Sequence, residues 1–237
     1  MGFKYLNKEQ NVFDAEEGED VYANEEQLLA KLDYFEAKLL SQDENTPVED
    51  EINNLLEIGR IQVERYKGAD AWDRGSKAFN LAIDNELWEL AVEACDVMFL
   101  SEGPGALKAL GHALWIGVTF PIDAEMTVAM LQHLVEESPK GADTKAYAAA
   151  VAHYIASIRC GTDDDLTLFA SQMIAAVADE HSHVSNQSTF DLWRKTLELD
   201  KPEVFLKKLS IAVDQLVGER WWIDKDKIRA RLDYEGK

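Results

Sequence analysis

The chain of 237 residues is 46% hydrophobic and carries a formal charge of −21, a composition that supplies core for one domain and excludes disorder throughout. The charge is uneven: residues 1–50 hold 14 acidic and 4 basic groups, residues 191–237 hold 10 and 11, and the rest of the imbalance lies between them. Such a field repels phosphate and anionic lipid, which excludes nucleic acid and membrane as partners and leaves a basic or neutral protein as the expected one.

Residues 1–23 set apolar islands (Phe3, Tyr5, Leu6, Val12, Phe13, Val21, Tyr22) among Asp and Glu without a sustained period. This predicts an acidic arm, disordered or laid across the body. Asn24 is the expected cap of a first helix, with Glu25 and Glu26 at the positive end of its dipole. Thr46 as N-cap and Pro47 at the first helical position predict a second, ending at Lys67 and Gly68. Three helix pairs follow, 69–84 with 85–101, 104–120 with 122–138, and 143–160 with 162–181, whose starts repeat every 35 to 39 residues.

The break at Gly103, Pro104 and Gly105 lacks the lysine and spaced glycines of a phosphate loop. Asp163, Asp164 and Asp165 read as acids capping a helix start in preference to a magnesium site. Alanine dominates 146–156, so that helix is expected to pack closely at the centre, and Trp115 is expected in the core. Beyond the 181–187 loop, Ser188 or Thr189 opens a short helix. Pro202 opens another, whose Phe205, Leu209, Ala212, Val213 and Leu216 share one face until Gly218. Trp221 and Trp222 precede a last, basic helix at 224–232.

No run of alternating β-branched residues demands a sheet. The expected fold is all-α, a stack of antiparallel helix pairs in a right-handed tetratricopeptide- or HEAT-like array or a multi-helix bundle, with 10 or 11 helices. The expected division is an arm at 1–23, a helical-repeat domain at 24–218 and a tryptophan-bearing segment at 219–237. Within the first pair, Trp72, Gly75 and Phe79 followed by the small residues Ala91, Ala94 and Cys95 before Pro104 resemble a tetratricopeptide repeat. The resemblance is architectural and spans about 36 residues; the second and third pairs lack the Trp, Gly and Tyr positions. It implies pairs that bury their apolar faces only by stacking.

Chemistry has few candidates. Glu180, His181 and His183 are metal-ligand types, and Glu180 and His183 have the spacing of one helical face. The bland alternative is a helix end where imidazoles meet the negative dipole. His112, His133 and His153 lie in three different apolar runs and are expected to meet in one groove or to satisfy single hydrogen bonds separately. Trp221 and Trp222 with Arg229 and Arg231 combine aromatic anchors and charge, fit either for a partner or for docking onto the acidic body. Cys95 and Cys160 sit in apolar helical runs and are expected as buried, reduced thiols.

The leading expectation is a protein-interaction module (adaptor, assembly factor or regulator) without catalysis or cofactor. A helical metal-binding protein and an acidic inhibitor of a basic partner are the alternatives. A homodimer through 202–217 or the array ends is a further expectation. With no signal segment and no stretch of roughly 20 apolar residues, a cytoplasmic location is expected.

Overall fold

The computed structural model describes residues 3–6 and 18–235, with side chains placed for 3–6 and 24–230. Among these, eleven helices and no strand are found: α1 (Gly18–Leu40), α2 (Val48–Glu64), α3 (Gly68–Asp84), α4 (Trp88–Leu100), α5 (Ala106–Thr119), α6 (Ala124–Glu137), α7 (Asp143–Arg159), α8 (Asp165–Ser182), α9 (Gln187–Thr196), α10 (Pro202–Val217) and α11 (Lys225–Glu235). The all-α array expected from the periodicity is the fold observed. From α2 to α8 each helix packs on the next, and α4 also touches α2 and α6, so α2, α4 and α6 form one layer of the stack.

Helix α10 breaks the tandem order. It packs on both α5 and α7 and stands between them in the second layer. Its buried stripe of Phe205, Leu209, Val213 and Val217 repeats every four residues. Gly111 on α5 makes the approach possible, because a Cβ there would stand 2.4 Å from Val217 Cγ2. On the other side Tyr154 of α7 meets Phe205 edge-on at 5.7 Å. The stripe expected to pair two copies is therefore spent inside the chain, which corrects that reading.

Helix ends depart from the sequence pattern in small, explicable ways. Helix α1 begins at Gly18, inside the stretch assigned to the arm, and residues 7–17 of that arm lie outside the described residues. Pro47 is the N-cap of α2 and not its first turn, while the Thr46 hydroxyl accepts the Asp43 amide at 3.1 Å. Asn186, not Ser188 or Thr189, caps α9 by accepting the Thr189 amide at 3.0 Å. Asp164 caps α8 through the Leu166 amide at 2.9 Å, as the capping reading expects.

Three of the turns between successive helices close without glycine. Tyr66, Glu86 and Glu198 hold left-handed φ values of 55°, 58° and 56°. The next amides (Lys67, Leu87 and Leu199) reach back to Gln62, Ala82 and Arg194 carbonyls at 2.8, 2.9 and 2.8 Å. This is the six-residue helix closure in which glycine usually takes the strained position. Tyr66 is 89% exposed, so its ring contributes almost no burial. Tyr66→Gly is expected to raise unfolding stability by about 0.5 kcal/mol in urea titration, strain relief exceeding the entropy added to the unfolded chain; a fall in stability would contradict this account of the turn.

Arg159, at the end of α7, fastens the α5–α6 turn. Its guanidinium donates to the carbonyls of Gly117 (2.9 Å), Phe120 (2.9 Å) and Ile122 (3.1 Å) and to the Thr127 hydroxyl (3.0 Å). A cation thus meets the exposed carbonyls at the C-terminus of α5. Trp115 is in the core and Cys95 is fully buried. Cys160 is an exposed free thiol, because it stands one residue past the end of α7 where the apolar face has run out.

Candidate functional site

Residues 3–6 lie against α4, α6 and α8. Glu125, in the first turn of α6, accepts the consecutive backbone amides of Tyr5 and Leu6 on one carboxylate oxygen, the second at 3.2 Å. Glu93 of α4 accepts the Tyr5 hydroxyl at 2.9 Å and lies 3.9 Å from the Lys4 ammonium. Its other oxygen pairs with Arg60 of α2, which is also held by Glu57 at 2.6 Å. Burial and the neighbouring Glu93 charge push the Tyr5 hydroxyl pKa well above its ordinary value, so it remains a donor. Phe3 meets Phe169 of α8 edge-on at 5.7 Å. A short, bent segment is thus gripped by its backbone, its charge and two rings.

His133 stands beside this groove. Burial alone would disfavour its charge, but Asp96 at 3.6 Å and Glu136 at 3.7 Å outweigh that and raise its pKa to about 9. At neutral pH it is an imidazolium tying α6 to α4.

His112 has a different task. Its Nδ1 donates to the Lys108 carbonyl at 2.8 Å, and its Nε2 accepts the Trp222 backbone amide at 2.9 Å. The Trp222 ring stacks on the imidazole at 4.2 Å and 12°, and meets Phe79 and Trp72 edge-on at 5.6 and 6.0 Å. Trp221 packs 4.8 Å from His112 and 6.2 Å from Trp115. Lys225 covers Trp221 at 3.6 Å and pairs with Asp214 at 2.5 Å, while Arg229 lies 5.7 Å from the Trp115 ring. The tryptophans expected as partner anchors are docked on their own body, the alternative the sequence left open. The Arg231 side chain lies outside the described residues.

The metal reading of 180–183 loses its geometric premise. Helix α8 ends at Ser182, and His183 takes a left-handed φ of 51°, so Glu180 and His183 do not continue one helical face. Glu180 is paired with Lys145 at 2.8 Å, and His181 with Asp143 at 3.1 Å while accepting from the Trp193 indole at 3.2 Å. Among the described residues no three His, Cys, Asp or Glu side chains gather as metal ligands. Nor do the three helix histidines converge, since His112 serves Trp222, His133 serves Asp96 and Glu136, and His153 faces a cleft elsewhere.

That cleft, of about 660 Å³, opens between α7, α8, α9 and the start of α10. Its apolar wall includes Tyr154, Ile174, Val184, Phe190 and Phe205, and His153 and Arg194 reach it from α7 and α9. Burial, with the positive charge of Arg194 adding to it, lowers the His153 pKa from its ordinary value, so the ring is neutral at pH 7.

With this geometry in view, comparison with protein-family profiles, curated proteins and solved structures finds no match to the chain. Among the described residues no helix is long and apolar enough to cross a membrane. Sequence reasoning placed Phe3, Tyr5 and Leu6 among the arm's apolar islands and left Glu125 unremarked, since an acid in a helix's first turn is explained by the dipole alone. Nothing local in the sequence marks Arg194 either.

Proposed function

We propose that this chain is a protein-interaction module, an adaptor or regulator, whose α4–α6–α8 face binds a turned partner segment of the pattern aromatic, basic, aromatic, aliphatic. The reading is supported above all by Glu125, which holds two successive backbone amides of residues 3–6. Two successive amides meet one oxygen only where the chain bends, so that contact recognises a turned backbone, and Glu93 and Phe169 supply preference for the side chains. The groove's acids favour a segment carrying positive charge. The chain's own residues 3–6 act as a tethered competitor at an effective concentration on the order of millimolar, so a partner must displace them.

The test is fluorescence anisotropy with a labelled Phe-Lys-Tyr-Leu peptide. It should bind the doubly substituted Phe3→Ala, Tyr5→Ala protein at least about tenfold more tightly than the unaltered chain. Adding Glu125→Gln to that background should weaken it again. Absence of saturable binding to the doubly substituted protein would end the proposal.

A further inference from the structure

The cleft between α7 and α10 is separate from the groove, and its polar groups are not all accounted for by the fold. Four of them are used internally: Ser157 and Ser171 donate to carbonyls one turn back, Asn186 caps α9, and Gln187 donates to Asp191. Five are not. Among the described residues the His153 ring, the Tyr154 and Ser185 hydroxyls, the Arg194 guanidinium and the Asp200 carboxylate have no hydrogen bond or ion pair from the protein, although all five line the same space. Elsewhere in this acidic chain the cations near the core are spoken for: Arg60 by Glu57 and Glu93, Lys145 by Glu180, and Arg159 by four oxygens. An arginine without a carboxylate partner, set beside apolar walls, is what recognition of an external anion requires.

We propose that this cleft binds a small monocarboxylate with an apolar body, its carboxylate on Arg194 and Tyr154 and its body against Phe190, Phe205 and Ile174. Two features choose the class. Among the described residues Arg194 is the one arginine or lysine lining the cleft, and Asp200 lines it as well, so a single negative charge is accommodated and a polyphosphate is repelled. The cleft volume matches a ligand of drug size and exceeds what acetate would fill.

The experiment is isothermal titration of the full chain with indole-3-acetate and with decanoate, each beside its neutral counterpart, indole-3-acetamide and decanol. Both acids, or one of them, should bind saturably, at least about tenfold more tightly than the neutral counterpart. Arg194→Gln should erase that preference while leaving the circular dichroism and melting temperature unchanged. Arg194→Lys, which keeps the charge but not the planar fork, should retain part of it. Equal affinity for acid and neutral counterpart, an unaltered preference in Arg194→Gln, or no saturation by either acid at millimolar concentration would overturn the proposal. Peptide binding in the groove should survive Arg194→Gln, which keeps the two sites distinguishable.

Discussion

Replacing Arg159 with alanine is expected to lower the unfolding free energy by about 4 kcal/mol, read from urea denaturation. The guanidinium donates four hydrogen bonds, three of them to carbonyls at the end of α5 and in the turn after it, and alanine leaves acceptors in a partly buried place with no donor of equal reach. Bonds to a charged donor are worth roughly 1.5–3 kcal/mol each in isolation, and a shared donor does not contribute all of them additively. Arg159→Lys keeps the charge but cannot span the same four oxygens, so about half the loss should remain. A fall below about 1 kcal/mol for the alanine variant would mean that the turn holds without its clamp.

Acid should unlock the C-terminal segment through His112. Burial is the main reason its pKa is lowered to about 4, and the charges of Lys108 and Lys225 push the same way while the Lys108 carbonyl opposes them. Protonation would also remove the acceptor for the Trp222 amide. The unfolded chain, with an ordinary histidine pKa near 6.5, takes up the proton first, so this stabilisation is present in full above about pH 6.5 and is lost as pH falls through about 4. The shift corresponds to about 3 kcal/mol. Carboxylates titrate in the same range, and comparison with His112→Gln subtracts them. The stability advantage of the unaltered chain over that variant should shrink by about 3 kcal/mol between pH 7 and pH 4, with Trp fluorescence reporting release of the indoles. A pH-independent difference would show that the ring does not gate this contact.

The helical array was legible because amphipathic periodicity survives in almost every segment, and Pro202 and Gly218 bracket α10 as the pattern predicts. Its placement was not legible. Nothing in the α10 stripe says that it will enter between α5 and α7, since that depends on the room left at Gly111 and on Phe205 meeting Tyr154, contacts far apart in sequence. Turn chemistry was hidden for another reason: Tyr66, Glu86 and Glu198 occupy positions that glycine normally marks. Of the candidate site residues, His153 reaches an open cleft, whereas His112 and His133 are structural. Identity and spacing do not separate these roles; a backbone amide at 2.9 Å or a carboxylate on each side does. Glu93 and Glu125 needed the fold most, because each acts on residues about 90 to 120 positions away.

Hydrogen exchange of the Tyr5 and Leu6 amides, followed by NMR in the full-length protein, addresses the groove itself. Carboxylate capture by Glu125 predicts exchange at least about tenfold slower than in an unstructured peptide, protection that disappears in Glu125→Gln. Exchange at the unstructured rate in the unaltered chain would contradict a groove that grips residues 3–6.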